Sequence, residues 1–332
     1  MKKWLKWEFW PYWLFYIPVY FQYIYLSLKA QSFVFFSASN PSMILGGFCT
    51  YSKSDILNKI ATKHTPKGFV YKPNQDIKSF LSEYNIDFPF IVKPDIGERG
   101  NGVALITAWD ELDSYLSTIK NETIIVQEYV NFPIELGVMY HRISGNKEGH
   151  ISSIVIKDFP TIIGDGKQTF QQLIEQQKRT QFYKKLLFES YKDQLTDIVP
   201  KDKKIQLQNI GNHCLGTTFL NGNHLINDQL RQVFDEIATP IKGFNFGRFD
   251  LRVSSYEDLY NGQNITIMEL NGANSEPAHI YDPNTPLITA YKHLFQHWKN
   301  LYKVSVANHK NGTPYAAFWS TVKTVHLHSK NR

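Results

Sequence analysis

The sequence predicts a mixed protein, α/β or α+β, headed by an aromatic helical segment. Three observations carry this. Short runs of β-branched and aromatic residues alternate with helix-spaced stretches through most of the chain. The composition is that of an ordinary globular protein, 42% hydrophobic and 20% charged over 332 residues; this excludes a disordered or collagenous chain and supplies a core for two or three domains. The aromatic residues, 15% of the total, crowd the N-terminus, where four of the seven tryptophans (Trp4, Trp7, Trp10 and Trp13) fall in the first thirteen positions.

From Phe9 to Leu28 no residue is charged, with Lys2, Lys3 and Lys6 before the stretch and Lys29 after it. With Pro11 as first helical residue, a helix over 11–28 would be about 27 Å long, marginal for a bilayer and kinked at Pro18. Trp and Tyr favour the headgroup level over the hydrocarbon core. An in-plane interfacial helix therefore fits better than a span, and packing of the segment on the protein's own core is the alternative. The stretch does not read as a secretory signal; Ser37-Ala38-Ser39 is the nearest approach to a cleavage site.

The elements follow in order. Asn40-Pro41 and Gly46-Gly47 read as turns rather than parts of a site. A short helix over 52–60 has Ser52 or Ser54 as N-cap and Asp55 in its first turn. A turn at 65–68 leads to a strand at 69–71; 77–84 is helical by spacing and 88–92 is a strand. Gly97, Gly100 and Gly102 form a glycine-rich loop, followed by a strand at 103–106, a helix at 109–119 and a buried-type strand at 124–129. Strands are expected at 134–143 and 150–159, a tight turn at 164–166, and a long polar helix from Thr169 to about 191. A strand at 204–208, a helix at 228–240, strands at 246–253 and 265–271 and a closing helix at 286–302 complete the set, and the basic tail from 307 is expected to be partly loose. No internal repeat is present.

The two cysteines, Cys49 and Cys214, lack any CxxC or zinc spacing, which excludes a disulfide scaffold and predicts a reducing compartment. The net charge of +6 leans towards anionic partners such as a nucleotide or a membrane surface. No long Lys/Arg block supports nucleic acid.

The chemistry concentrates in three places. In the strand 246–253, Arg248, Asp250 and Arg252 share one face; in 265–271, Glu269 and Asn271 do. Two carboxylates and a carboxamide suit a hard cation such as Mg²⁺ that bridges phosphates, and Arg248 would meet negative charge on a substrate. A plain salt-bridge face, Asp250 with Arg252 and Glu269 with Arg248, is an equal alternative by spacing. Earlier, Lys93 ends a hydrophobic strand before the glycine loop, a phosphate-cradling pattern that is neither a Walker A loop nor a dinucleotide fingerprint; a simple hairpin is as good a reading. Third, the strand 124–126 runs into Gln127, Glu128, Tyr129 and Val130, with Glu135 beyond.

Taken in order, these elements resemble the ATP-grasp superfamily over roughly residues 60–300. Gly247-Arg248-Phe249-Asp250 with Met268-Glu269-Leu270-Asn271-Gly272-Ala273-Asn274-Ser275-Glu276-Pro277 resembles the D-alanine–D-alanine ligase group. Gly164-Asp165-Gly166-Lys167 with the residues to Ile174, and Ile210 to Thr218, resemble cyanophycin synthetase and related peptide-forming ligases. The resemblance implies an α+β ATP-grasp fold of two α/β subdomains clasping ATP. Residues 1–50 would be an aromatic, membrane-interfacial segment, 51–130 the first subdomain, 131–305 the catalytic subdomain and 306–332 a basic tail. It also implies a carboxylate–amine ligase using ATP and Mg²⁺ or Mn²⁺. Lys93 and a second lysine, Lys167 or Lys157, would hold phosphates, and Arg99, Gly100, Asn101 and Gly102 would close over them. Gln127, Glu128, Tyr129 and Val130 would bind adenine and Glu135 the ribose. Asp250, Glu269 and Asn271 would hold the metal, Arg248 would stabilise developing charge, and Arg142 and His213 would touch substrate, although His213 reads equally as a structural histidine.

Residues 1–60 lack the separate N-terminal α/β domain of D-alanine–D-alanine ligases, so D-alanine specificity does not carry over and the acceptor site is expected to differ in kind. The expected partners are a small carboxylate and an amine, amphiphilic if the aromatic segment brings the enzyme to the bilayer, with peripheral membrane contact through residues 1–36 on the cytoplasmic face. An ATP-grasp kinase, or a membrane-surface protein with a non-catalytic nucleotide-binding domain, are the alternatives.

Overall fold

A computed structural model describes residues 6–97, 100–119, 122–177, 179–209, 211 and 216–330. Its strands are β1 (Gly68–Tyr71), β2 (Phe90–Pro94), β3 (Ala104–Ile106), β4 (Ile124–Glu128), β5 (Ile134–His141), β6 (His150–Asp158), β7 (Thr161–Ile163), β8 (Lys204–Gln206), β9 (Thr218–Asn221), β10 (Phe246–Val253) and β11 (Ile265–Asn271). They form a four-stranded sheet, β1-β4-β2-β3, a five-stranded sheet, β11-β10-β5-β6-β9, and the pair β7-β8. Every pairing is antiparallel, which fixes the class as α+β.

The smaller sheet buries Phe69, Phe90, Val92 and Val126 under the helices Ile77–Glu83 and Trp109–Thr118, through Ile77, Leu81 and Leu112. The larger sheet is two-faced by the period of two along its strands. Leu136 and Val138 of β5 and Phe249, Leu251 and Val253 of β10 meet Leu230, Val233, Phe234 and Ile237 of the helix Asp228–Ala238. Those four helical residues recur at spacings of three and four, one apolar stripe, and Asn227 caps the helix by accepting the Leu230 N–H at 2.8 Å. On the opposite face, Met139 and Phe246 are covered by Leu301 and Val304 of the helix Leu287–Lys310. Further along, that face turns polar and looks towards the smaller sheet.

The N-terminal segment is not one kinked helix. A turn, Tyr12–Phe15, breaks at Tyr16, and a second helix runs Ile17–Ala30. Pro18 thus sits in a first turn, where its missing N–H costs no intrahelical bond. At 14 residues this helix is about 21 Å long, and no described helix is long and apolar enough to cross a membrane. One face packs on the protein: Phe15, Tyr16 and Val19 are buried against Ile280, Ala290 and Leu294. The other is open, with Trp13 65%, Phe21 71% and Leu28 64% exposed. Core packing, one of the two sequence alternatives, is realised on one side, and the other side presents exposed apolar residues.

Three further expectations need correction. The closing helix extends to Lys310 because its inward stripe continues through Val304 to Asn308, whose Nδ2 donates to the carbonyls of Ala38 (2.8 Å) and Ser39 (2.9 Å). The tail is helical over Phe318–Lys330. The long helix expected from Thr169 is broken into Phe170–Gln176 and Lys184–Ser190 by extended backbone at Gln177 and a 3₁₀ turn at Thr180–Tyr183. The turn at Asn40 clamps the start of β10: its Oδ1 accepts the N–H groups of Asn245 (2.8 Å) and Phe246 (2.9 Å), and its Nδ2 donates to Phe246 O (2.7 Å).

Candidate active site

A cavity of about 970 Å³ lies between the two sheets, a volume suited to a nucleotide-sized ligand. Lys93 reaches it from the end of β2 and donates to the Met268 carbonyl of β11 at 3.0 Å, bridging the sheets. Burial lowers its pKa to about 8; the Glu269 carboxylate works against this and the Lys53 ammonium reinforces it. Gly100 and Asn101 of the glycine loop line the cavity. Gly102, at φ +70°, does not, and a Cβ there would stand 2.7 Å from the Pro94 ring. Gln127, Glu128, Tyr129 and Val130 also line it; the Glu128 carboxylate accepts the Lys67 N–H at 2.9 Å.

The polar face of the larger sheet supplies a buried charge network. Asp250 is met by Arg248 Nη2 at 2.9 Å, Lys157 Nζ at 3.2 Å and Asn271 Nδ2 at 2.9 Å. Lys157 also reaches Glu135 at 3.0 Å, whose other oxygen accepts from Arg252 Nε at 2.8 Å. Tyr51 donates to Asn271 Oδ1 at 2.8 Å. The pairs drawn from spacing, Asp250 with Arg252 and Glu269 with Arg248, are not the ones made. The reason is tertiary: β5 brings Glu135 directly opposite Arg252, and the Asp250–Glu269 register is followed by a bulge. Burial works to raise the Asp250 pKa, but Arg248 and Lys157 outweigh it and hold the carboxyl below the usual range. Burial likewise works to lower that of Lys157, and Asp250 and Glu135 hold it up.

Asp250 and Glu269 stand opposite one another in register, with Asn271 on the same edge. These are hard oxygen donors. Among the described residues no group of three or more His, Cys, Asp or Glu is placed to hold a metal. Two carboxylates and a carboxamide are the donor set that suits Mg²⁺ in its usual mode, one or two carboxylates completed by substrate phosphates.

Two expected residues lie elsewhere. Lys167 is exposed in the 164–167 turn, its N–H bonded to Asp165 Oδ1 at 2.8 Å, and does not line the cavity; Lys157, on β6 beside β5, does line it. Arg142 lies past the end of β5, where it donates to Thr239 Oγ1 at 2.6 Å in a separate polar pocket. Arg99 and His213 fall outside the described residues.

Sequence reasoning missed Lys53, which lines the cavity and donates to the carbonyl of Gly97 at 2.5 Å, and Gly137. Gly137 faces Asp250 across the β5–β10 ladder; a Cβ there would lie 3.1 Å from Asp250 Oδ1, 3.1 Å from Arg248 Cδ and 2.8 Å from Val155 Cγ1. A glycine inside an otherwise full strand was the available signal. Gly137→Ala is expected to destabilise by about 1–3 kcal/mol and to lower turnover more than that loss explains, because it pushes on the charge network; thermal melting and steady-state rates of the purified variant check both.

Residues 52–180 match the RimK-like ATP-grasp domain. A curated protein, the glutathione biosynthesis bifunctional protein of Streptococcus mutans, is 21% identical over 255 residues, covering 68% of this chain and 33% of its own length. The chain thus spans about a third of that relative. Among solved structures, the D-alanine–D-alanine ligase of Bacillus anthracis has a TM-score of 0.48 at 14% identity, covering 81% of this chain and 72% of that one. The VanG D-Ala:D-Ser ligase of Enterococcus faecalis has 0.42 at 13%, covering 77% and 60%.

Proposed function

We propose, from the match of residues 52–180 to the RimK-like ATP-grasp domain, that the chain is an ATP-dependent carboxylate–amine ligase. The carrying observation is the convergence on one cavity of Lys93 and the glycine loop from one sheet with Arg248, Asp250, Glu269, Asn271 and Lys157 from the other.

In this reading a substrate carboxylate oxygen attacks the γ-phosphorus of ATP, ADP leaves, and an acyl phosphate forms. The amine nitrogen then attacks the acyl carbon, the C–O bond to phosphate breaks, inorganic phosphate departs and the amine gives up a proton. Lys93 and Lys157 neutralise phosphate charge, fixed before reaction by burial. Gly100 and Asn101 approach the phosphates closely, while Gln127 to Val130 hold the adenine and Glu135 the ribose. Arg248, restrained by Asp250, lies against the developing oxyanion. Asp250, Glu269 and Asn271 would hold Mg²⁺, which supplies further charge neutralisation on the phosphates.

The test is Mg²⁺-dependent ADP release by the purified chain against pooled amino acids and small carboxylates, with and without detergent-dispersed lipid. Release requiring both an acid and an amine is expected. Stable phosphorylated product without amine would make it a kinase, and ATP binding without turnover in every pool would make it a non-catalytic domain.

A second element of the reading is peripheral membrane contact through residues 1–36. It is supported by the outward face of Ile17–Ala30, where Phe21, Tyr25 and Leu28 stand exposed beside Lys29, the arrangement of an interfacial helix. Phe21→Asp is expected to cut co-sedimentation with anionic phospholipid vesicles severalfold; an unchanged bound fraction would discard the contact.

A further inference from the structure

The cavity does not end at the charge network. Beyond Arg248 it continues between the N-terminal segment and the helix Leu287–Lys310, walled by Trp7, Phe15, Tyr16, Tyr20 and Trp298. Two carboxylates stand at this aromatic end: Glu8, which is paired with Arg179 at 3.3 Å, and Glu276. Glu276 is delivered by the loop after β11, and its backbone carbonyl accepts from Arg248 Nη1 at 3.4 Å, so it adjoins the reacting centre. Its side chain accepts hydrogen bonds from the hydroxyls of Tyr16 and of Tyr281, the latter at 2.9 Å.

Tyrosine hydroxyls satisfy lone pairs but supply no charge. Among the described residues no Lys, Arg or His side chain forms an ion pair with Glu276, whereas Asp250 and Glu135 in the same cavity each have two. A carboxylate held in an apolar cavity without a cation is costly. Burial accordingly pushes the Glu276 carboxyl up to about 7, against the Tyr281 hydrogen bond. An ammonium group would remove that cost, and the surrounding rings suit both an alkylammonium head and the apolar body behind it.

We propose that Glu276 receives the ammonium group of the acceptor substrate and that the aromatic N-terminal segment completes its pocket, making that substrate an amphiphilic amine with an apolar tail. The term acceptor rests on the ligase reading; the binding site does not.

The experiment is calorimetric titration of the full chain with decylamine, propylamine and decanol at pH 8, where Glu276 is ionised and the alkylamines are protonated. Decylammonium is expected to bind about tenfold or more tightly than decanol, by the worth of a charged hydrogen bond, and more tightly than propylammonium. Glu276→Gln is expected to abolish that preference while leaving ATP and decanol affinity unchanged; retained ATP binding reports that the variant is folded. Equal binding of decylammonium by wild type and Glu276→Gln overturns the proposal. So does equal affinity of the wild type for decylammonium and decanol, or no decylammonium binding at all, which decides the matter even if the variant fails to fold. Absence of ADP release with every acid–amine pair would remove the ligase reading and leave a positive binding result standing.

Discussion

Replacing Lys93 by alanine is expected to lower Mg²⁺-dependent ADP release by about 10³-fold, the scale on which removal of one preorganised charge acts in transfer reactions. Lys93 is buried at the seam of the two sheets and donates to Met268 O at 3.0 Å, so solvent cannot stand in for it. Near-wild-type turnover would remove it from the phosphate site. A pH dependence follows from its lowered value of about 8. A lysine unfolds to an ordinary value of about 10.4, so between these limits the unfolded chain holds more protons. Its contribution therefore opposes folding at neutral pH, and that penalty fades as pH rises from 8 towards 10. Phosphate binding runs the other way, because the neutral amine attracts no phosphate. ATP affinity should weaken between pH 7 and 9 in the wild type, and this component should be missing from Lys93→Ala. A calorimetric comparison at the two pH values measures it.

Asp250→Ala should have the largest effect on stability. Asp250 compensates Arg248 at 2.9 Å and Lys157 at 3.2 Å and takes the Asn271 amide at 2.9 Å. Its removal leaves buried charges without their partner, a loss of about 3–5 kcal/mol, which corresponds to a melting-temperature drop on the order of 10 °C. Asp250→Asn keeps the volume and one acceptor, and should melt closer to wild type while being equally inactive. Thermal unfolding with turnover on both variants separates the two roles; an Asp250→Ala protein that melts with the wild type would show that the network does not hold the sheets' charges together.

The pattern of legibility has physical causes. Asp250, Glu269 and Asn271 could be read because strand alternation puts them on one face without knowledge of the partners. Lys93 could be read because a charge closing an apolar strand before glycines is a local pattern. Lys157 could not be separated from Lys167, since the choice depends on β6 pairing with β5. Arg142 lies in a separate polar pocket, a placement that was not legible because a sequence does not show where a strand leaves a cavity. Pro18 reads as a kink only if the helix begins at Pro11; the helix begins at Ile17. Glu276 lies in a motif that marks no role for it, because one of its hydroxyl partners, Tyr16, stands 260 positions away.

That separation bears on how the molecule is made. Trp7 Nε1 donates to Thr285 O across 278 positions, and Tyr16 and Phe15 pack on Ile280 and Leu294. At translation rates of about 5–20 residues per second, roughly 14–56 s pass between the synthesis of the first aromatic residues and that of the surface that buries them. Throughout that interval both faces of the N-terminal segment are uncovered, and the nascent chain is at its most adhesive. The inward face of this segment can close only once residues 280–294 have emerged, so its burial is a late event of synthesis.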